Sequence, residues 1–415
     1  MRILFFADNF KPETNAPATH IYERCRYWAS WGHDVTVITC QPNFPEGKVF
    51  PGYKNRWRSV EMIDGIRVVR VWSYITANEG FLRRTLDYLS YGPPALWQSW
   101  FEERPDVIIS SSPQLFTVLP AVASGWLRGV PHVFEVRDLW PASILATSAM
   151  KPGRLYNLLE QLELFLYAQS RRIISFTHSF VPELTRRGVP PEKIDVVING
   201  ASLDLFHPQP SRDTELEARH RLAGRFVVGY LGTWGLAHDL ENVVAAAEQL
   251  RDQPVTFLLV GGGAAREKLE QLVADKGLTN VLLIPRVSKA ELTRYWSLCD
   301  ASLVHLKDDP VFSTVIPSKI FESMAVGLPI LYVGPPGEGD KIVLEHQAGL
   351  ALPPARPAEL AAAVQRLKNA PEWRRELAKN SERAAPNFSR ERQARKTLNV
   401  LRRALGERIS LEENC

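Results

Sequence analysis

Two charged residues follow a predicted helix start late in the chain. Pro317 and Ser318 are typical of a helix N-terminus, and Lys319 and Glu322 come next, on one face of its first turns. A lysine beside a helix N-terminus suits a phosphate, because the backbone N–H groups and the helix dipole add to its charge. A carboxylate one turn later suits a pair of sugar hydroxyls. The spacing therefore predicts a site for a nucleotide sugar.

The elements around this pair predict where it lies in a fold. Gly327 ends the helix, and the apolar run from Pro329 to Val333 is typical of a buried parallel strand. In a doubly wound α/β sheet, ligands bind outside the carboxyl ends of the strands, beside helix N-termini. Lys319 and Glu322 are therefore expected to face a ligand.

Strand and helix signals alternate along the chain in two series. The first series predicts strands at Arg2–Ala7, Asp34–Cys40, Asp106–Ser111, Pro131–Arg137, Arg171–Phe176 and Lys193–Ile198. The second predicts strands at Arg225–Leu231, Val255–Val260, Val281–Pro285, Ala301–Leu306 and Pro329–Val333. Segments of helical period lie between most of them. The sequence therefore predicts an α/β protein of two doubly wound, Rossmann-like domains that face one another across a cleft.

The stretch from Pro317 to Ile330, PSKIFESMAVGLPI, resembles the donor-site motif of a known enzyme family, the retaining glycosyltransferases of family four with the GT-B fold. That motif has two glutamates eight positions apart. Glu322 matches the second, which binds the donor ribose in the family, whereas Thr314 stands at the place of the first. The resemblance implies transfer of a sugar from a nucleotide donor, with UDP expected, to a lipid-linked or polysaccharide acceptor. A plain helix with a solvated Lys–Glu pair is the alternative.

The loop that begins at Gly232 resembles a loop of the same family but lacks its two basic residues. In the family this loop holds an arginine and, a few positions on, a lysine, and both grip the diphosphate. Thr233 stands at the arginine place here, and His238 and Asp239 lie near the lysine place, where helix capping is the alternative role. Lys319 is therefore expected to supply the missing positive charge, aided by the helix N-terminus.

Three more residues complete the predicted donor site. Arg286 follows a predicted strand, although an ion pair at a loop is the commoner role for such an arginine. Asn15 and Ala16 stand where the family usually has two glycines in the first strand-to-helix turn, and a surface turn is the alternative. The predicted donor-binding residues are Glu322, Lys319, Ser318, Gly232, Thr233, Gly235, Arg286, Asn15 and Ala16.

Asp138 is the candidate catalytic residue. It follows the strand predicted at Pro131–Arg137, at the end where a ligand cleft opens, in the sequence Asp-Leu-Trp-Pro. Bacterial members of the family show a similar pattern, which implies that Asp138 orients the donor sugar and stabilises positive charge on its anomeric carbon. The alternative is a cap for a helix starting near Ala142.

The same resemblance sets the expected domains. A connection with Pro, Asn and Gly residues runs from Ile198 to Arg212 and is similar to the interdomain segment of the family. We expect an acceptor-side domain at residues 1–198 and a nucleotide-sugar donor domain at 199–388. Residues 389–415 are expected to form a helix that crosses back to the N-terminal domain.

One stretch indicates how a lipid-linked acceptor is approached. Residues Gly80–Phe101 carry many aromatic and aliphatic side chains together with Arg83 and Arg84, and Pro93-Pro94 is expected to break them into two helices. Basic and aromatic helices of this kind lie on membrane surfaces. A pair of helices packed on the core is the alternative.

Composition and missing motifs argue against several other classes of protein. The formal charge of +4, from 50 basic and 46 acidic residues, is small. The sequence also has no basic run interleaved with aromatic residues, which would be typical of a nucleic-acid-binding protein. No Asp-x-Asp pair lies at a strand end, so neither a metal nor another cofactor is expected. The first strand-to-helix turn has no glycine, which disfavours a dinucleotide site. Without an apolar run near the ~18 residues of a spanning helix, or a signal pattern, we expect a cytoplasmic protein.

Two other functions stay open at this point. The first is a nucleotide-sugar epimerase of the same fold, which needs further catalytic carboxylates and histidines that the sequence does not identify. The second is a non-catalytic nucleotide-sugar-binding protein, because Thr233 and Thr314 replace charged residues of the family. Turnover of a donor distinguishes these from a transferase.

Overall fold

The computed structural model describes residues 1–44, 46–76, 81–112, 115–139, 141 and 153–408, without the side chains of residues 81–84 and 290. The chain divides into two compact units. The first unit comprises residues 1–198 and the chain from residue 393 onward, and the second comprises residues 199–392. Among the described residues, no helix combines the length and the apolar character that a membrane span requires.

The first unit is built on an eight-stranded sheet of order β3-β4-β2-β1-β5-β6-β7-β8. Its strands are β1 (Arg2–Phe6), β2 (Asp34–Cys40), β3 (Arg58–Ile63), β4 (Ile66–Val71), β5 (Val107–Ser111), β6 (His132–Val136), β7 (Arg172–Ser175) and β8 (Ile194–Val196). All neighbouring strands pair in parallel except β3 and β4, which form an antiparallel hairpin at one edge.

Helices cover both faces of this sheet. They are α1 (Ala16–Ser30), α2 (Phe81–Phe101), α3 (Leu115–Arg128), α4 (Arg154–Gln169) and α5 (Phe180–Arg186). One face packs on α1, where Ile21, Cys25 and Trp28 are buried against β1 and β2. The opposite face packs on α2, α3 and α4. Because both faces are covered, the strands are almost wholly apolar, as is usual for parallel sheets.

The second unit contains a six-stranded, entirely parallel sheet of order β11-β10-β9-β12-β13-β14. Its strands are β9 (Phe226–Thr233), β10 (Val255–Gly262), β11 (Val281–Pro285), β12 (Ala301–His305), β13 (Ile330–Val333) and β14 (Gly349–Leu352). Its helices are α6 (Thr214–Arg219), α7 (Leu240–Gln249), α8 (Arg266–Asp275), α9 (Lys289–Trp296), α10 (Lys319–Ala325), α11 (Glu338–Glu345), α12 (Pro357–Asn369) and α13 (Pro371–Ala384). A single large cluster of buried side chains joins this sheet to its helices.

The last helix, α14 (Arg390–Ala404), contributes to the core of the first unit. Ala394, Leu398 and Leu401 are buried in the cluster that contains Trp28. The indole Nε1 of Trp28 donates a hydrogen bond to the carbonyl oxygen of Ala394 at 3.0 Å. The first unit is therefore assembled from both ends of the chain.

The predicted fold class, two doubly wound α/β domains, is confirmed, whereas two elements were not predicted and one local prediction is wrong. The strand β14 and the hairpin of β3 and β4 have no counterpart among the predicted strands. Asp64 and Gly65 join that hairpin, both with positive φ, and Asp-Gly is a strong signal for such a turn. Residues Pro93-Pro94 do not break α2, which runs on past them, with Tyr91 and Ala95 buried in the core on either side.

Candidate functional site

The carboxyl ends of the central strands define one edge of the second sheet. In the register of this edge, Gly232 on β9 is paired with Gly261 on β10, and Gly261 is paired with Pro285 on β11. On the other side, β12 lies between β9 and β13, and α10 precedes β13 in the chain. The loops after β9, β10 and β12 and the start of α10 therefore meet at the edge where doubly wound sheets bind ligands.

Lys319 and Gly232 are in direct contact at this edge. A Cβ atom placed on Gly232 would lie 2.8 Å from the Lys319 Nζ and closer still to its Cε, and Gly232 has a φ of +149°. Both observations explain why glycine occupies position 232: a side chain there is strained and also displaces the lysine. The ammonium also lies 4.7 Å from the centre of the Tyr230 ring, within the range of a cation–π interaction.

Burial lowers the pKa of this lysine. Removal from water lowers the pKa of Lys319 to about 8, and the carboxylate of Glu322 opposes that shift. The two side chains follow each other in the first turns of α10, as the sequence predicts. Ser318 precedes the helix, and its carbonyl accepts hydrogen bonds from the N–H groups of Phe321 and Glu322 at 3.1 and 3.2 Å. Its hydroxyl makes no capping bond.

The loop after β9 places a histidine beside the lysine. The Tyr230 hydroxyl donates to the carbonyl oxygen of Thr233 at 2.7 Å and fixes the start of the loop, while the Thr233 residue is exposed. The His238 ring then lies 6.0 Å from the ring of Tyr230. Gly235 is close to both, because a Cβ there would meet His238 Cδ2 at 3.6 Å and Thr233 Cγ2 at 3.7 Å.

The alternative of helix capping fits neither His238 nor Asp239. Asp239 has left-handed backbone angles in front of α7, and its side chain makes no capping hydrogen bond. His238 Nδ1 instead lies 3.3 Å from the carbonyl oxygen of His305, at the end of β12. Burial and the neighbouring charge of Lys319 lower the pKa of His238 to about 4. At neutral pH the imidazole is therefore uncharged.

The glycines at the end of β10 shape the same edge. A Cβ on Gly261 would collide with the carbonyl oxygen of Gly232, and one on Gly263 would lie 2.5 Å from that of Trp234. These two glycines have φ values of +158° and +155°. They allow the loops after β9 and β10 to pack backbone against backbone, which agrees with a structural role.

Arg286 lies apart from this group. It is exposed and directly follows β11, the outermost strand of its sheet. Two strand spacings, roughly 10 Å, separate that strand from β9 and Gly232. The structure thus brings together Lys319, Glu322, Gly232 and the loop of Gly235, and it places Arg286 at the margin of the same edge.

Asn15 and Ala16 belong to the first unit and begin α1. The Asn15 side chain accepts a hydrogen bond from the backbone N–H of Ala18 at 2.9 Å, and its amide donates to Asn9 Oδ1 at 3.0 Å. Asn15 is therefore a typical N-cap, and Ala16 is the first helical residue. The role of both residues toward a donor stays a prediction.

Asp138 follows β6 in the first unit, as the sequence predicts. The residue is exposed, yet desolvation by the surrounding protein raises the pKa of its carboxyl above the usual value, against the opposing charge of Arg137. The Arg137 guanidinium lies 4.9 Å from the centre of the Phe176 ring. Trp140 and the predicted helix start near Ala142 lie outside the described residues.

Sequence reasoning missed a buried ion pair at the same edge of the first sheet. Arg24 on α1 donates to the carboxylate of Glu135 on β6, and both side chains are almost fully buried. The hydroxyl of Ser111 donates to the second oxygen of Glu135 at 2.9 Å, and a His20 ring nitrogen lies 3.2 Å from the Arg24 guanidinium. A glutamate inside the apolar strand HVFEV was the available signal, since a buried carboxylate requires a partner.

A second missed group is Asp8, just after β1. Burial, together with the charges of Asp87 and Glu13, raises the pKa of its carboxyl to about 8. The Cys40 thiol donates to the Asp8 carbonyl oxygen at 2.8 Å. The raised pKa favours the protonated form of the Asp8 carboxyl. Among the residues that the structure describes, no group of three or more His, Cys, Asp or Glu side chains is arranged to hold a metal ion.

Two family profiles cover most of the chain. Residues 15–200 match the profile of a glycosyl transferase 4-like domain, and residues 212–384 match that of the glycosyl transferases group 1. Fold and profiles together define a glycosyltransferase of the GT-B class. The protein is therefore a glycosyltransferase that combines a glycosyl transferase 4-like domain at residues 15–200 with a glycosyl transferases group 1 domain at residues 212–384.

Individual proteins agree with this assignment. WcaI of Escherichia coli K12, named as a colanic acid biosynthesis glycosyl transferase, is 27% identical over 336 residues, which are 79% of this chain and 82% of WcaI. Among solved structures, sucrose-phosphate synthase from Thermosynechococcus elongatus has a TM-score of 0.72 at 19% identity and covers 98% of this chain and 99% of its own. HepE of Anabaena with UDP-glucose has a TM-score of 0.68 at 17% identity, covering 97% and 100%. These structures share the fold.

Proposed function

We propose that this protein is a retaining glycosyltransferase that moves a sugar from a UDP-linked donor to a lipid-linked or polysaccharide acceptor of the bacterial cell surface. One observation carries the proposal: the Lys319 ammonium contacts Gly232 at the carboxyl end of β9, with Glu322 one helical turn further on. A cation at this edge suits a diphosphate. The HepE structures with UDP, with UDP and glucose and with UDP-glucose support UDP as the nucleotide.

The acceptor class is supported by relatives. WcaI is named for colanic acid biosynthesis, and WaaG, a solved neighbour with a TM-score of 0.66 and 14% identity, is described as a glycosyltransferase of lipopolysaccharide biosynthesis. Both names refer to glycans of the bacterial surface. Together they favour a growing cell-surface glycan as the acceptor.

We assign some of the site residues to donor binding and others to sugar transfer. In this proposal Glu322 accepts hydrogen bonds from the ribose hydroxyls, and Lys319 neutralises charge that develops on the leaving diphosphate. The backbone of Gly232, Thr233 and Gly235 lines the phosphates. Asp138 stabilises positive charge on the anomeric carbon, and the leaving phosphate takes the proton of the acceptor hydroxyl. The resemblance to retaining transferases supports this assignment of roles.

A ligand screen tests the donor first. A ligand that binds only the folded protein raises its melting temperature, so UDP sugars are expected to stabilise the chain more than ADP, GDP or CDP sugars. Loss of hydrogen bonds to a charged group costs about 1.5 to 3 kcal/mol each, so Glu322→Ala is expected to weaken UDP binding at least about tenfold. Equal UDP affinity of wild type and variant in calorimetry contradicts the ribose assignment.

Product stereochemistry tests the reaction. With the stabilising donor and an acceptor fragment, nuclear magnetic resonance is expected to show the same anomeric configuration in the product as in the donor. Asp138→Asn is expected to lower kcat while UDP affinity is unchanged, because the carboxylate acts on the sugar and not on the nucleotide. An inverted product rules out retention. An unchanged kcat in the variant contradicts a catalytic role of Asp138.

The approach to a lipid-linked acceptor involves the exposed face of α2. Trp97 and Trp100 are each 58% exposed, and Phe101 is 62% exposed. Aromatic side chains of this kind partition into the interface of a bilayer. Gly80 and the side chains of Arg83 and Arg84, predicted to contribute, lie outside the described residues. We propose that this face touches the inner surface of the plasma membrane and that the protein is otherwise cytoplasmic.

Vesicle sedimentation tests the membrane contact. Replacing Trp97 and Trp100 by Ser is expected to reduce sedimentation with anionic phosphatidylglycerol vesicles and to leave transfer to a water-soluble acceptor unchanged. Trp57→Ser is the control, because Trp57 is 53% exposed and belongs to a different part of the first unit, beside β3. Equal sedimentation of the double variant and the control contradicts the proposal.

A further inference from the structure

His238 has no role in the donor site proposed so far, yet it is part of the same side-chain cluster as Lys319. Both side chains contact the ring of Tyr230, the lysine by its ammonium at 4.7 Å and the histidine by its ring at 6.0 Å. Lys319 covers Gly232, and His238 covers Gly235, three residues further along the same loop. The charge of Lys319 also acts on the imidazole of His238, so the charge of a diphosphate bound at the lysine acts on the imidazole as well.

The hydrogen bond of His238 fixes which nitrogen is available. The His305 carbonyl oxygen accepts only, so the Nδ1 atom 3.3 Å away from it carries the hydrogen. In the neutral ring, the second nitrogen, Nε2, then has a lone pair and no hydrogen. A phosphate oxygen also accepts only. It forms a hydrogen bond to Nε2 only after that nitrogen has taken up a proton.

The charged and titratable groups around His238 oppose that proton in the free protein. After burial, the positive charge of Lys319 on α10 is the main cause that lowers the pKa of His238. His305 on β12 is buried, with its own pKa lowered to about 4, and its Nε2 lies 2.7 Å from the amide of Asn242. Tyr230 on β9 is held neutral by burial, which raises the pKa of its hydroxyl. Glu241 influences His305 from the start of α7.

A bound diphosphate reverses this balance. Its negative charges offset the ammonium of Lys319, the group that disfavours the imidazolium, and they attract a proton to Nε2. We propose that His238 is a second phosphate ligand, and that donor binding takes up one proton from solvent at its Nε2. The inference rests on the proposed function, because it assumes that the donor diphosphate binds beside Lys319. It adds that occupancy of the site depends on pH through a histidine.

The sign of the pH dependence follows from linkage. A group whose pKa is higher in the complex than in the free protein makes binding stronger at low pH. For His238, UDP affinity is therefore expected to fall as pH rises above about 4, by up to tenfold per pH unit, until the pKa of the complex is passed. Lys319 titrates in a separate range, above its pKa of about 8.

Proton uptake measured by calorimetry tests the proposal. UDP is titrated into the full chain at pH 6.5 in two buffers that differ in ionisation enthalpy, and the difference in heat gives the protons bound. His238→Asn is the matched variant, because its amide N–H replaces Nδ1–H toward the His305 carbonyl and nothing replaces Nε2. It is expected to bind UDP at least fivefold more weakly and to take up less of a proton. Titration of UDP itself is common to both proteins and cancels in the difference.

His238→Lys and uridine complete the design. The lysine variant carries a permanent charge and is expected to retain UDP affinity while losing the steep pH dependence between pH 5 and 7. Uridine, which has no phosphate, is expected to bind without proton uptake in every variant. If wild type and His238→Asn take up equal amounts of protons and bind UDP equally well, His238 is not a phosphate ligand. That result does not contradict the proposed donor site at Lys319 and Glu322. Absence of UDP binding by the wild type overturns both.

Discussion

The contact between Gly232 and Lys319 makes a sharp prediction about substitution of the glycine. In Gly232→Ala, the new Cβ would lie 2.8 Å from the Lys319 Nζ and even closer to Cε, so the lysine side chain must move. The ammonium then leaves the position that we assign to the diphosphate. The backbone at position 232 also becomes strained, since a φ of +149° favours glycine.

Both effects have an expected size. A hydrogen bond from a charged group contributes about 1.5 to 3 kcal/mol, and 1.4 kcal/mol is a factor of ten in affinity. Displacement of the Lys319 ammonium is therefore expected to weaken UDP binding about 10- to 150-fold. The strained backbone is expected to lower the free energy of unfolding by about 1 to 3 kcal/mol. Affinity for uridine, which lacks the phosphates, is expected to change less than twofold.

Calorimetry on a double-mutant cycle measures the coupling between the two residues. If Lys319 transmits the effect of Gly232→Ala, the glycine substitution costs little further UDP affinity in the Lys319→Ala background. Gly262→Ala is the control, because Gly262 ends the neighbouring strand and a Cβ there has no atom within 4 Å. Additive losses in the double variant, or an equal loss in Gly262→Ala, refute the contact as the cause.

Three further outcomes are expected. UDP affinity of the wild type falls above pH 8, by up to tenfold per pH unit, because the pKa of Lys319 is about 8 and the phosphates need its charged form. In the Lys319→Ala variant, UDP affinity is expected not to change with pH in this range. A wild-type affinity that does not change above pH 8 contradicts the prediction. Turnover survives EDTA, since Lys319 takes the place of a metal; lost activity that Mg²⁺ restores contradicts this. Arg24→Met lowers the free energy of unfolding by about 3 to 5 kcal/mol, since Glu135 is then buried without its ion pair. Arg186, which pairs with Glu183 at the surface, is the control, and Arg186→Met is expected to leave the midpoint of denaturant unfolding almost unchanged, because water solvates and screens an exposed pair.

Most of the fold follows from local sequence patterns. Apolar runs such as Asp34–Cys40 and Val281–Pro285 predict their strands to the residue, because parallel strands covered on both faces need continuous apolar sequence. The edge hairpin was missed because β3 has no continuous apolar run and because its more exposed positions include the apolar residues Val60 and Met62. The helix α2 was predicted to break because two prolines remove backbone donors. Burial of Tyr91 and Ala95 around those prolines shows that packing outweighs that loss.

The candidate site was only partly accessible from sequence. Lys319 and Glu322 were identified because a local signal, the helix start, positions them. Their contact with the loop of Gly232 depends on strand order, since β12 lies between β9 and β13 in the sheet, and no local pattern specifies that order. His238 was missed as a neighbour of Lys319 for the same reason. The two residues are far apart in sequence and meet only through the packed sheet.

The placement of α14 has a consequence for synthesis of the chain on the ribosome. The second unit is one uninterrupted segment, so all of it has been translated before the last helix. The first unit starts earlier but lacks Ala394, Leu398 and Leu401 in its core until those residues have been made. Since domains fold as units during synthesis, the first unit starts to be translated before the second unit but is completed after it. Until then the apolar face around Trp28 is left uncovered, and it is a surface that a chaperone would recognise.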